Sequence, residues 1–293
     1  MTFGVIRVPV PGGEIFATRR GAEPVGLPPV LLLHGGPGMG AEYLVTLVEE
    51  LEGTVDIVLP QQRGLEPSTL EGPRDIETHV ADAIAVVDHL GWERAWLMGH
   101  SWGGLLAMHI AVAHPERTRG LVLFDTLGAL PDGGRAALSA NLVARLQPSG
   151  RAQLDKLVAL QESGDEDPTL VAQMLTVLWP SYSYIYNYVL PPSPLRLEVP
   201  LPDLPDTMAS VEAHWAAGTL EHGLPGLNVP ALLIHGVADP LPSSASVDTA
   251  ALIPNARLEL VERSGHFPWL ERHGDIRPIV EAFLAQNVKR PAG

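Results

Sequence analysis

"LMGHSWGGLLAMHIAVAHP", Leu97 to Pro115, joins an apolar run to a helical one through a turn in which Gly99, Ser101 and Gly103 form the pattern GxSxG. It reads as a buried strand ending in a sharp turn that opens directly into a helix. Such a turn holds its serine at strained backbone angles, and glycines two residues before and after it let neighbouring backbone approach where a Cβ would intrude. The hydroxyl is lifted above the sheet edge, next to the positive dipole end and unpaired N–H groups of the new helix. In a chain with 29 glycines the pattern alone is easily matched. The strand before it and the helix after it make Ser101 a candidate nucleophile.

The same alternation extends in both directions. "FGVIRVPV" and "GEIFATRR" flank Pro11, Gly12 and Gly13 and read as a hairpin. Further buried-strand candidates lie at Val30 to Leu33, Val55 to Leu59, Ala95 to Met98 and Gly120 to Phe124. Between the second and third of these, Ile76, Val80, Ile84, Val87 and Leu90 recur at helical spacing, and Gly91 stops the run. Strands alternating with helices predict a mostly parallel central sheet flanked by helices. From about Leu130 to Leu224 the texture is helical with Pro-rich breaks, after which strand signals resume at Ala231 to Gly236 and Arg257 to Val261, before a closing helix near Ile276 to Ala285. An interrupted sheet that resumes implies one α/β core, residues 1–128 and 226–293, with a helical insertion at 129–225 after the sixth strand.

Composition narrows the chemistry. The 293 residues are 46% hydrophobic and 18% charged, with mean hydropathy +0.13, as in a globular protein. There is no cysteine, so disulfides, thiolate nucleophiles and Cys-based zinc sites are excluded together. A formal charge of −15, with Lys156 and Lys289 the only lysines, argues against nucleic acid as a partner. No apolar run reaches the ~18 residues of a membrane span, and the amino terminus lacks a signal-like pattern, so a cytoplasmic protein acting on a small molecule or short peptide is expected. With neither HExxH nor GxxxxGK present, no metal or nucleotide cofactor is expected.

A serine hydroxyl needs a base to take its proton, and the base needs an orienting acid. After a turn of this kind the expected order is serine, acid, histidine. "LLIHGVADPLPS" supplies Asp239 just past one strand and "ERSGHFPWLE" supplies His266 just past the next, both at the sheet end where Ser101 sits. Asp125 ends a strand at the same edge and rivals Asp239 as the acid. Asp239 is preferred because its strand lies nearest in order to His266. Among the other histidines, His34, His100 and His235 flank glycine turns and read as loop anchors, while His79, His89, His109 and His114 show no ligand spacing.

Four segments in order, "HGGPG", "GHSWGG", "HGVADP" and "GHFPW", resemble the α/β-hydrolase superfamily, more narrowly its proline iminopeptidase-like branch. The resemblance implies the α/β-hydrolase fold and the triad Ser101, Asp239 and His266. It also implies an oxyanion hole built from the backbone N–H groups of Gly36 and Trp102, which turns "LLLHGGPGMG" from a conceivable phosphate cradle into a substrate-oxygen site. In the insertion, "ASVEAHWAAG" resembles the family's cap segment that binds a free amino terminus, with Glu212, His214 and Trp215 in the matching places. A carboxylate in a partly dry pocket would hold the ammonium there; the other reading of Glu212 is an ordinary solvated helix carboxylate. Two departures, Gln61 where the family has an acid and Glu66 where it has a glycine, bear on peptidase specificity more than on hydrolysis.

"WPSYSYIYNY" places Tyr182, Tyr184, Tyr186 and Tyr188 at alternate positions, a shared face if extended. One of them, Tyr184, is a candidate wall for a small ring; cap-to-core packing is the other reading. The expected function is therefore a serine hydrolase releasing an N-terminal proline or similar small residue. A carboxylesterase or lactonase using the same triad is the alternative, and a non-catalytic ligand-binding protein on this fold comes third.

Overall fold

The computed structural model describes residues 4–20, 26–165, 167, 169–185 and 204–287. Eight strands form one sheet: β1 (Gly4–Val10), β2 (Gly13–Arg20), β3 (Pro29–Leu33), β4 (Asp56–Pro60), β5 (Ala95–His100), β6 (Thr118–Phe124), β7 (Ala231–Gly236) and β8 (Ala256–Val261). Their spatial order is β1-β2-β4-β3-β5-β6-β7-β8. β2 pairs antiparallel with β1 and β4, and every pairing from β4 to β8 is parallel. This is the α/β-hydrolase fold expected from the strand–helix alternation.

Helix α1 (Val45–Glu50) follows β3, α2 (Ile76–His89) follows β4 and α3 (Trp102–Ala113) follows β5. Between β6 and β7 run α4 (Arg135–Ala144), α5 (Pro148–Glu162), α6 (Leu170–Leu178), α7 (Leu204–Ala217) and α8 (Thr219–Gly223). α9 (Ser244–Leu252) follows β7, and α10 (Pro268–Glu271) and α11 (Ile276–Asn287) follow β8. None of the described helices is long and apolar enough to cross a membrane.

The central strands are apolar without interruption because helices cover both faces of the sheet. Alternate residues then enter opposite cores. Leu31, Leu33, Leu97, Leu121 and Leu233 pack with α2, α3 and α9, whereas Val30, Leu32, Met98, Val122, Phe124 and Ile234 pack with α1, α10 and α11. All are essentially inaccessible, and each contributes roughly 1.5–3 kcal/mol relative to an exposed side chain. Of the inserted helices, α7 and α8 join the first core through Val211, Trp215 and Leu220, while α5 and α6 pack on each other through Leu154, Leu157, Leu170 and Val177.

α2 starts where its sequence directs. Asp75 is extended and its carboxylate accepts the N–H of Thr78 at 2.8 Å, satisfying one of the donors that a helix start leaves unpaired. The parallel strands place their carboxyl ends on one edge, the side on which such sheets bind ligands. Gly36, Ser101, Asp125, Asp239 and His266 all follow strand ends on that edge.

Candidate active site

Ser101 stands between β5 and α3 at φ 55° and ψ −118°, outside the regions a residue with a Cβ adopts freely. The surrounding glycines make that turn feasible. A Cβ on Gly99 would collide with the carbonyl oxygen of Gly103, and one on Gly103 with that of Leu33. The Ser101 N–H is tied to the Phe124 carbonyl at 3.0 Å, fixing the turn against β6.

His266 and Asp239 meet directly. His266 Nδ1 lies 2.7 Å from Asp239 Oδ2, and Asp239 Oδ1 accepts the N–H of Leu241 at 2.8 Å. With Nδ1–H donated to the carboxylate, Nε2 is the ring nitrogen left to accept a proton. Burial pushes the His266 imidazole well below its ordinary range, so it is a neutral base at neutral pH. Burial pushes Asp239 the other way, while the neighbouring Asp125 carboxyl, the Leu241 N–H and the nearby Arg145 charge pull it back. Asp125, the rival acid, instead accepts the N–H of Gly236 at 2.8 Å.

A buried hydrogen-bond chain connects the loops that carry these groups. The Gly35 N–H donates to Tyr43 Oη at 2.6 Å, and that hydroxyl donates in turn to His100 Nδ1 at 2.7 Å. His100 Nε2–H reaches the His266 carbonyl at 2.9 Å. The residue preceding Ser101 therefore holds both the glycine loop and the histidine loop. Gln62 forms a second clamp: its Nε2 donates to the His34 carbonyl at 2.9 Å, and its Oε1 accepts the indole N–H of Trp102 at 2.8 Å. His34 accepts the Gln62 N–H through Nε2 at 3.0 Å, and burial lowers its pKa to about 4, which keeps that nitrogen unprotonated. The loop-anchor reading of His34 and His100 thus has specific partners.

Gly36 has φ 124°, and a Cβ there would come within 2.9 Å of the nitrogens of Gly38 and Met39. The neighbouring Gly35 N–H is committed to Tyr43, whereas the N–H groups of Gly36 and Trp102 have no acceptor among the described residues. Two such donors on converging loops can receive an oxygen that becomes negative.

The residues proposed from the insertion are arranged differently from the expectation. Glu212 is 63% exposed at its side chain and pairs with Arg135 at 2.9 Å, a solvated ion pair instead of a carboxylate in a dry pocket. Trp215 is buried, donates its indole N–H to the Gly128 carbonyl at 3.1 Å, and serves packing between α7 and the core. Tyr184 is half exposed, and its backbone N–H donates to Glu271 Oε2 at 2.6 Å. Tyr182 is the tyrosine beside the base: its ring centroid lies 5.2 Å from that of His266, and its carbonyl accepts the His266 N–H at 2.9 Å. Trp179–Tyr182 form a 3-10 turn that ends in an extended Ser183, and Tyr186 and Tyr188 lie outside the described residues.

Tyr43, Gln62, Arg145 and Glu271 carry no motif of their own. Each acts across a sequence gap that no local pattern reveals. Arg145 bridges the Ser181 and Ala238 carbonyls at 3.1 and 2.7 Å, and Glu271 Oε1 accepts the N–H of Gly265 at 2.8 Å. Among the described residues, Asp125, His235 and Asp239 bring ligand-type atoms within 4.8 Å of one another. Both His235 ring nitrogens are already engaged, with Ser246 Oγ at 2.9 Å and the Leu241 carbonyl at 3.0 Å.

Residues 30–277 match the model of a family described as the alpha/beta hydrolase family. The chain is 29% identical over 270 residues to 2-hydroxymuconate semialdehyde hydrolase of Pseudomonas putida, covering 88% of this chain and 87% of that protein. It is 27% identical over 283 residues to a proline iminopeptidase of Clostridium botulinum, covering 88% and 90%. Its fold resembles that of a thermophilic esterase from Thermogutta terrifontis, with TM-score 0.71, 23% identity and coverage of 98% and 99%.

Proposed function

Because the chain belongs to the alpha/beta hydrolase family, we propose that it is a serine hydrolase acting on a carboxylic ester or lactone, with Ser101, His266 and Asp239 as its triad. Ser101 Oγ attacks the acyl carbon as His266 Nε2 takes its proton; Asp239 holds the tautomer and stabilises the imidazolium. The N–H groups of Gly36 and Trp102 receive the oxyanion, each such donor contributing roughly 3–4 kcal/mol to the transition state. His266 returns the proton to the departing alkoxide, and water then repeats the sequence on the acyl-enzyme.

The observation that carries the hydrolytic reading is the 2.7 Å bond from His266 to Asp239, on loops beside the strained Ser101 turn. The preference for an ester or lactone over a peptide rests on Glu212. A carboxylate in water and paired with Arg135 offers a substrate ammonium little, since an exposed ion pair is worth about 0–1 kcal/mol. A second reading, release of an N-terminal proline, is favoured by the HGGPG loop and by the similarity to the Clostridium protein.

Three substrates separate the two readings: a short-chain aryl ester, a proline arylamide and its N-blocked form. Ester cleavage without arylamide turnover is expected. Arylamide turnover that disappears on blocking the amine would overturn the ester reading in favour of the aminopeptidase.

A further inference from the structure

Asp125 takes no part in the steps above, yet it is fully buried and held at φ 43°, a costly conformation for a residue with a side chain. One oxygen, Oδ1, accepts the Gly236 N–H at 2.8 Å, while the other, Oδ2, is buried and finds no donor. A second carboxyl lies beside it: carboxylate oxygens of Asp125 and Asp239 come within 4.8 Å of each other. Two ionised carboxylates are acceptors only and repel each other in a dry site, so a proton held by one of the pair relieves the repulsion and lets that carboxyl donate to the other.

The geometry indicates which carboxyl carries it. Asp239 receives His266 Nδ1–H and the Leu241 N–H, and the Arg145 guanidinium bonds the carbonyl of the adjacent Ala238, so negative charge is stabilised on Asp239. Asp125 has one N–H donor. His235 lies 3.9 Å from Asp125 and 3.8 Å from Asp239, beyond hydrogen-bonding distance, with its own nitrogens committed to Ser246 and Leu241. Glu271 and Tyr182 add no positive charge near the pair, and both are pushed up by burial. Burial and the Asp239 charge likewise push Asp125 well above the carboxylate range.

We propose that Asp125 is a positioning residue that stays protonated at neutral pH and donates a hydrogen bond to the Asp239 carboxylate, extending the His266–Asp239 hydrogen bond to a third residue. The donor keeps Asp239 ionised and aimed at Nδ1. It also moderates the basicity of the His266–Asp239 pair, since a hydrogen bond to the charged form of an acid favours that form. The same spot that could host a competing triad acid thus supports the acid in place.

The proposal rests on the triad reading and is tested in two independent arms. In the first, the pH dependence of kcat/KM on an aryl ester is compared for the wild type, Asp125→Ala and Asp125→Asn. Loss of the donor in Asp125→Ala is expected to lower kcat roughly tenfold or more and move the acid limb up by about one unit, as removal of a charged hydrogen bond implies. Asparagine, a neutral donor of the same shape, is expected to recover most of both effects. An unshifted acid limb in Asp125→Ala, or an asparagine variant as impaired as the alanine one, would overturn the proposal. In the second arm, infrared difference spectra of the folded Asp125→Asn variant against the wild type at pH 7 should show loss of the C=O stretch of an unionised carboxyl; loss of an ionised carboxylate band instead would overturn it. The second arm needs no turnover. Failure of the triad reading would be seen separately, as hydrolysis surviving Ser101→Ala.

Discussion

The division of labour between two neighbouring residues of α7 shows how far a local motif can be read. Val211 and Trp215, four apart, face the core, and a helix turns about 100° per residue, so Glu212 points away from that face into solvent. The "VEAHW" pattern carries residue types but not the rotation of the helix, which is why it left both an amine anchor and a solvated carboxylate open for Glu212, and the latter arrangement is the one observed. The placement of Ser101, Asp239 and His266 at strand ends on one edge was legible because it depends on chain order, visible in sequence; Tyr43 and Gln62 were not, because their partners lie across the sheet edge. Asp239→Asn should lower kcat by about 10⁴-fold through loss of the productive tautomer, with folding unchanged by circular dichroism; a loss of less than about tenfold would remove Asp239 from the proposed triad. Glu212→Gln should leave ester kcat/KM unchanged. If a proline arylamide is cleaved and this variant loses roughly tenfold or more on it alone, Glu212 binds the amine after all.

Single elements answer to short-range rules. The strands at Val30, Ala95, Gly120 and Ala231 read correctly because both faces are buried and the apolar runs have strand length. The half-exposed edge strand β8 covers the strand signal at Arg257 to Val261. Of the tyrosine strip, Tyr182 ends a 3-10 turn and packs beside His266, Tyr184 is half exposed, and Tyr186 and Tyr188 lie outside the described residues. Two substitutions test the element boundaries. Asp75→Ala removes the α2 cap and should cost about 1 kcal/mol in denaturant unfolding, without affecting hydrolysis at saturating substrate; no change in midpoint would mean the cap is not stabilising. Gly103→Ala sets a methyl against the Leu33 carbonyl, where backbone must move, and should cost about 3 kcal/mol or more and misplace Ser101. A fully active, equally stable Gly103→Ala would contradict the packing of α3 on β3.

Across the whole molecule, buried titratable groups set the response to acid. Burial pushes down His34 and His79 to about 4 and His109 to about 3, and it lowers His100 and His266 in the same sense. Below about pH 6.5 the unfolded chain binds protons at these positions and the folded chain does not, so folding stability falls as pH drops. The buried carboxyl of Asp125 acts oppositely, and those of Asp82 and Glu271 in the same sense: raised above their ordinary value, they hold protons in the folded state that the unfolded chain releases, and so favour folding on acidification. The five histidines outnumber these carboxyls, so stability is expected to fall between about pH 6 and 4, by roughly 1.4 kcal/mol per pH unit for each net proton. Against a total stability of about 5–15 kcal/mol, that predicts a falling denaturation midpoint across the same interval. Guanidinium midpoints at pH 7.5, 6.0 and 5.0 measure it; a midpoint constant over this range would contradict the assignment of these histidines as neutral.

The order of elements and their two-sided packing bring five strand ends to one edge, and the claim that matters most is that Ser101 becomes a nucleophile there. A fluorophosphonate reagent reports this directly, because it phosphonylates only a serine activated by a base and oriented beside an oxyanion site. After labelling of the native protein, peptide mass spectrometry should locate a single adduct on the segment containing Ser101, absent from Ser101→Ala and strongly slowed in His266→Ala. An unlabelled Ser101, in a protein that still cleaves the aryl ester, would contradict the mechanism.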